Sequence, residues 1–286
     1  MTEPELALVL GGGGNLGVVQ VAFIEALAER GVTPDLIVGT SVGALNASFL
    51  AFGDRGAEGS LDEAWLSLRG QRLFHRNPFK IGRNLFRNRK SLYRHGFVTD
   101  LLESYLREDD FSSTRIPLLI TATNITKGER AVFSEGSIMQ AVLASTAVPG
   151  LFPPVEIDGD WYVDGGVAAG LGVESAVERG ARTVLTVDLS SGMAYREPHG
   201  IVDVLTRSLE IMGQRRTDCQ LEYFGHQTDV VVYRPGLTAP HGPGSFEDME
   251  TLLTQARGLA GPLIDLSRHD DGSFEPGVYE GVVRRR

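Results

Sequence analysis

The apolar positions along the chain fall into short solid runs and helical stripes that take turns. Leu6 to Leu10 is a compact apolar run that ends in four glycines, the pattern of a buried parallel strand entering a tight turn. Val18 to Arg30 (VVQVAFIEALAER) carries apolar residues at helical spacing and stops at Gly31, which predicts a helix ended by glycine. Leu36 to Val38 predicts a second strand and Val42 to Phe52 a second helix, so the chain opens strand-helix-strand-helix and calls for a parallel sheet. Further on, Ile116 to Thr123 reads as a strand and Gly128 to Phe133 as the returning arm of a hairpin. Ser137 to Ala147 reads as a helix broken by Pro149-Gly150 and Pro153-Pro154. Trp161-Tyr162-Val163 then forms a strand that runs into Asp164-Gly165-Gly166. Thr183 to Asp188 and Asp229 to Tyr233 are expected as strands, Ile201 to Arg215 and Glu247 to Leu259 as helices. The Pro/Gly-rich stretch 238–245 reads as a loop and the tail Arg284-Arg285-Arg286 as frayed. No internal repeat is evident. The sum is an α/β fold, a three-layer sandwich around a central, mostly parallel sheet. Residues 6–190 are expected to form its core and 191–286 to add helices and a strand to the same domain.

Two of the predicted strand-to-helix turns carry chemistry. Read from Gly12, the first fits G-x-G-x-x-G, the fingerprint of a dinucleotide site. Such a site needs an acidic residue just after the second strand, and that place holds Gly39-Thr40-Ser41; the nearest acid, Asp35, precedes the strand. The second strand leads instead into Gly39-Thr40-Ser41-Val42-Gly43, a G-x-S-x-G between strand and helix. Gly39 and Gly43 remove the side chains that would clash where strand reverses into helix, and Ser41 falls at a helix N-terminus, where amides and the macrodipole favour negative charge. The plain alternative is a serine that caps the helix. If Ser41 is a nucleophile, acyl transfer needs backbone donors for an oxyanion, and the turn Gly12-Gly13-Gly14-Asn15-Leu16-Gly17 supplies them at the same end of the sheet.

A nucleophilic serine also needs a base. The chain has six histidines: His75 and His95 lie in a basic stretch, and His199, His226, His241 and His269 in polar or loop-like surroundings, none in a persuasive context. Asp164 ends an apolar strand before two glycines and is the candidate base, with a plain Asp-Gly turn as the alternative.

Composition changes the picture at three points. A net charge of −10 argues against nucleic acid as a partner. The single Cys219 excludes an internal disulfide, suits a reducing compartment and is expected as a core thiol. The N-terminus is acidic and its apolar run too short for a signal peptide, and no stretch approaches a membrane span, so a soluble, cytoplasmic protein is expected. Against that acidic background, residues 64–99 hold no Asp or Glu. They carry Arg69, Arg72, Arg76, Lys80, Arg83, Arg87, Arg89, Lys90 and Arg94, interleaved with Phe74, Phe79, Phe86 and Tyr93. This stretch reads as an inserted cap over about 54–100, fit either to meet anionic lipid surfaces or to be a solvated basic face.

Gly12-Gly13-Gly14-Asn15-Leu16-Gly17, Gly39-Thr40-Ser41-Val42-Gly43 and Asp164-Gly165-Gly166, in this order, resemble the patatin-like phospholipase family. The resemblance extends to Thr121-Ala-Thr-Asn124, Val132-Phe133 and Ala144-Ser-Thr-Ala-Val-Pro-Gly-Leu-Phe-Pro-Pro-Val155, and covers roughly the first two thirds of the chain. It implies a serine acyl hydrolase acting on lipid esters, with Ser41 as nucleophile, Asp164 as base in a dyad without histidine, and the amides of Gly12, Gly13 and Gly14 as oxyanion hole. Gly17, Gly39, Gly43, Gly165 and Gly166 are its motif glycines, and neither metal nor organic cofactor is implied. One departure bears on substrate class: Leu16 stands where many members carry Arg or Lys. The rivals are a Ser-His-Asp esterase on small esters and a catalytically silent lipid-binding scaffold on the same fold.

Overall fold

The computed structural model describes residues 4–52, 55–69, 91–93, 95–106, 108–189, 201–240, 244–281 and 283–285. The first four elements are β1 (Leu6–Leu10), α1 (Gly17–Glu29), β2 (Leu36–Thr40) and α2 (Val42–Ala51). Along β1 the pleat sends alternate side chains to opposite faces. Leu8 and Leu10 join one core cluster with residues of α1 and α2, while Ala7 and Val9 join another with Leu171, Val173 and Ala176. Both faces are covered, which is why the strand is apolar at every position.

After α2 come α3 (Arg55–Ser67) and α4 (Gly96–Tyr105), then β3 (Leu118–Asn124), β4 (Glu129–Phe133), α5 (Ile138–Ser145), β5 (Val155–Ile157) and β6 (Asp160–Asp164). The chain continues with α6 (Val173–Glu178), β7 (Thr183–Val187), α7 (Ile201–Phe224), β8 (Asp229–Arg234), α8 (Met249–Ser267), β9 (Gly277–Glu280) and β10 (Val283–Arg285). The strands make one sheet in the order β10-β9-β8-β7-β1-β2-β3-β6-β5, with β4 paired to β3. Pairings from β9 through β3 are parallel; β4, β5, β6 and β10 join antiparallel. This is the expected three-layer α/β architecture, with a mixed, mostly parallel sheet.

Differences from the sequence-based expectation have local causes. The tail, expected to fray, instead pairs through Val283–Arg285 with β9, because β9 offers it an open sheet edge. Helix α7 continues nine residues past Arg215 to Phe224. Apolar periodicity fades there, since Thr217 and Gln220 are the buried residues and Gln220 donates to the Ala169 carbonyl. Helix α8 runs past Leu259 and across Pro262 to Ser267, because Ala260, Leu263 and Ile264 extend the apolar face that packs in the main core. The helix-weakening Gly258 and Pro262 hide that extension from a reading of sequence alone. Cys219, expected in the core, is exposed on α7. Helices α3 and α4, which the apolar pattern does not predict, flank the basic stretch; residues 70–90 and Arg94, which hold eight of its nine Lys/Arg, lie outside the described residues.

Candidate active site

Sheet register brings two distant residues together. β3 has β4 along one edge; on the other edge β2 runs parallel to it until Thr40 stands opposite Thr121. From the next position onward β6 takes over that same edge antiparallel, with Asp164 opposite Ala122. The two strands therefore meet end to end, and the residue after β2, Ser41, faces the last residue of β6. Ser41 Oγ donates a 2.6 Å hydrogen bond to Asp164 Oδ2. That length is typical of a hydroxyl donating to a carboxylate and shorter than most bonds between neutral groups.

Ser41 adopts φ 55°, ψ −126°, a left-handed backbone that costs a non-glycine residue roughly 1–3 kcal/mol. The turn tolerates it because the packing around it leaves no alternative. A Cβ on Gly43 would overlap the Leu10 carbonyl, and one on Gly39 would come within 2.5 Å of Ala44 Cα. The serine hydroxyl makes no capping bond to α2, so the helix-cap alternative does not hold: the side chain is turned to Asp164 instead. The backbone N–H of Ser41 donates to Ser145 Oγ at 2.8 Å, and Ser145 in turn donates to the Thr121 carbonyl at 2.7 Å, tying the turn to β3.

The glycine turn after β1 lies alongside. A Cβ placed on Gly12 would sit 3.2 Å from Ser41 Cβ and 3.7 Å from its Oγ. Among the described residues the N–H groups of Gly12, Gly13 and Gly14 donate to no protein acceptor, as expected of amides at the start of a helical turn. Leu16 is buried in the main core, so this turn takes no positive charge from that position.

Asp164 does two things at once. Its Oδ1 accepts from the Gly166 N–H at 2.8 Å, the Asp-Gly turn anticipated from sequence, while Oδ2 faces Ser41. The residue is 6% exposed. Burial pushes its carboxyl up to about 6, and the bonds from Ser41 and Gly166 pull against that rise without cancelling it. Thr123 Oγ1 donates to the Asp164 carbonyl at 2.9 Å and fixes the strand end. The arrangement can supply a hydroxyl able to lose a proton, a carboxylate able to take it near neutral pH, and a glycine turn with unpaired amides beside the serine.

Among the described residues no histidine bonds to Ser41 or Asp164. His226 and His269 are exposed; His75, His199 and His241 lie outside the described residues. His95 is half-buried, stacked on Phe152 at 5.5 Å between ring centroids, with burial lowering its pKa to about 4. No group of three or more His, Cys, Asp or Glu among the described residues could hold a metal ion. Asp35, rejected as a ribose ligand, accepts from the N–H groups of Glu5 and Leu6 at the opposite end of the sheet. Sequence reasoning missed Ser145, although it lies inside the family-like stretch 144–155; a lone serine in a helix end gives no sign of which amide it will hold.

The patatin-like phospholipase family model matches residues 8–177, from β1 into α6, a span that holds both Ser41 and Asp164. Patatin-like phospholipase domain-containing protein 7 of Mus musculus is 29% identical over 193 residues, covering 67% of this chain and 14% of that protein. Lysophospholipase nte1 of Aspergillus terreus is 30% identical over 213 residues, covering 70% of this chain and 13% of its own length. The chain thus spans about a seventh of the length of these curated relatives. Among solved structures it is similar to VipD from Legionella pneumophila, at 17% identity and a TM-score of 0.43, covering 90% of this chain and 66% of that one. With the family model matched over more than half of its residues, the chain belongs to the patatin-like phospholipase family.

Proposed function

We propose that this chain is a serine acyl hydrolase that cleaves carboxylic ester bonds of lipids, of phospholipase A or lysophospholipase type. The observation that carries this reading is the 2.6 Å bond from Ser41 Oγ to the buried Asp164 on a strained strand-to-helix turn. Asp164 takes the Ser41 proton as Oγ attacks the acyl carbonyl, and the Gly12, Gly13 and Gly14 amides receive the oxyanion. Collapse of that intermediate expels the alcohol, which leaves with the proton held by Asp164. Water, deprotonated by the same carboxylate, then attacks the acyl-enzyme; the fatty acid departs and Ser41 recovers its proton.

Purified protein incubated with phospholipids, lysophospholipids, acylglycerols and short esters is expected to release fatty acid from the lipid substrates. Release from short soluble esters alone would exclude a lipid hydrolase. The pH dependence has a defined sign: only ionised Asp164 can accept the proton, and its pKa is about 6. The rate constant kcat/KM should therefore be flat above about pH 7 and fall nearly tenfold per unit below about pH 5.5. A rate that stays constant down to pH 4.5 would remove Asp164 from the role.

The basic stretch 64–99 supports peripheral contact with anionic membranes, since each Lys or Arg near such a surface is attracted by about 1 kcal/mol. Sedimentation with vesicles should show a preference for anionic over neutral lipid that weakens with salt. That preference should disappear when Arg83, Arg87, Arg89 and Lys90 become Gln. Equal binding to both vesicle types would sink the contact and leave the hydrolytic mechanism standing.

A further inference from the structure

An oxyanion hole made of consecutive glycines poses a physical difficulty. The Gly11–Gly12 peptide has a glycine on either side, so neither φ nor ψ is restrained by a Cβ, and the unit is intrinsically free to rotate. Preorganised donors are what make an oxyanion hole effective. Something outside the turn has to hold that peptide, and the structure contains a group of the right kind.

Gln20, fully buried on α1, donates from Nε2 to the Gly11 carbonyl at 2.8 Å. Its Oε1 accepts from Asn46 Nδ2 at 2.8 Å, and the same Asn46 amide donates to the Gly17 carbonyl at 2.9 Å, at the far end of the turn. Asn46 Oδ1 accepts from Trp65 Nε1 at 2.8 Å. Asn46 is fully buried on α2, and Trp65, on α3, is 2% exposed. The direction of every bond is forced. The Trp65 N–H can only donate and the Gly11 and Gly17 carbonyls can only accept, so both side-chain amides have one orientation available. Donors then point the same way from Trp65 to Gly11, an arrangement in which each bond polarises the next.

The carbonyl of Gly11 and the N–H of Gly12 belong to one planar peptide unit, and it is trans. They point in opposite directions. Fixing the carbonyl toward Gln20 therefore fixes the Gly12 N–H away from α1, and Gly12 is the glycine whose Cα faces the Ser41 side chain. We propose that Gln20, held by Asn46 and Trp65, is a positioning residue that locks the Gly11–Gly12 peptide with its N–H toward the reacting carbonyl. The proposal rests on the acyl-hydrolase reading above. It gives a role to two side-chain amides buried in helices whose other buried side chains are apolar but for Ser48, which bonds within α2 to the Leu45 carbonyl, and it links α3, the helix leading into the basic stretch, to the oxyanion turn.

The test is Gln20→Met, which keeps side-chain length and removes the donor. Losing one oxyanion donor lowers kcat by about 10²- to 10³-fold, and a misaimed one should approach the lower figure. Expected is a fall in kcat of about 30- to 100-fold with KM within threefold of the parent. End-point fluorophosphonate titration should still count one competent Ser41 per chain, so the loss does not come from unfolded protein. If kcat per titrated site equals that of the parent, or the loss lies in KM alone, the proposal is overturned. Should Gln20→Met fail to fold, Gln20→Glu decides: its protonated carboxyl can donate to Gly11 and accept from Asn46, and its carboxylate cannot donate. The ratio of its kcat to the parent's should fall at least tenfold between pH 5 and pH 9.5, a comparison in which the Asp164 titration cancels. A flat ratio overturns the proposal. A parent protein that neither labels at Ser41 nor hydrolyses any ester would instead bring down the hydrolase reading, and this inference with it.

Discussion

Ser41→Ala is expected to abolish covalent labelling by a fluorophosphonate and ester turnover together, while the protein stays folded. The turnover loss should be roughly 10⁴- to 10⁶-fold, since removing a nucleophile removes the covalent route and leaves only binding and oxyanion contacts. The fold survives because alanine retains the Cβ already accommodated at φ 55° and deletes only Oγ. The Ser41 N–H keeps its bond to Ser145. There is one side effect: Asp164 loses the hydrogen bond that partly offsets its burial, so its pKa in the variant should rise further above 6. Intact-mass spectrometry after probe treatment checks the first outcome, and a labelled Ala variant would place the nucleophile elsewhere.

Asp164→Asn is expected to lower kcat by about 10²- to 10⁴-fold and, at pH 7 and above, to make the protein more stable. The two effects have one cause. Burial holds the folded-state pKa at about 6, above the value near 3.9 of an unfolded aspartate. Between those values the native state binds more protons than the unfolded chain, so stability falls as pH rises through roughly 4 to 6. The difference of about 2 units corresponds to up to about 3 kcal/mol of destabilisation at neutral pH, which an amide escapes. Asparagine can still accept from the Gly166 N–H and offer its NH₂ to Ser41 Oγ, so the turn persists. Thermal melts at pH 7.5 and pH 4 should show the variant's advantage at the higher pH and its loss at the lower. A variant that is less stable at pH 7.5, or one that retains parent activity, contradicts the assignment of Asp164 as a buried base.

Much of this was written in the chain in one dimension. The solid apolar run before the glycines, the helical stripe after them and the repetition of that order at β2 and α2 determine a parallel sheet covered on both faces, because side-chain period and burial are coupled strand by strand. The setting of Ser41 was equally legible. A serine between glycines at a strand-to-helix junction leaves few backbone solutions, and close approach of Gly43 to the Leu10 carbonyl excludes any side chain there. Local signals failed where packing overrides propensity. Pro262 and Gly258 read as a helix end, yet α8 continues because its apolar face is already committed to the core beside α1. The Arg284-Arg285 tail reads as loose, yet an open strand edge recruits it.

Tertiary structure alone decided which oxygen of which side chain meets which hydrogen. Sequence could nominate Asp164 and leave it undecided between a turn former and a base; only the handover from β2 to β6 on one edge of β3 gives its two oxygens separate tasks. Sequence shows Gln20 and Asn46 as polar side chains in apolar runs and Trp65 as one apolar position of an amphipathic stretch, 26 and 19 positions apart. Their common orientation toward the Gly11 carbonyl exists only once α1, α2 and α3 pack against one another. Periodicity reports which face of an element is buried, whereas hydrogen-bond direction depends on the rotation and register of several elements at once, and no local pattern carries that.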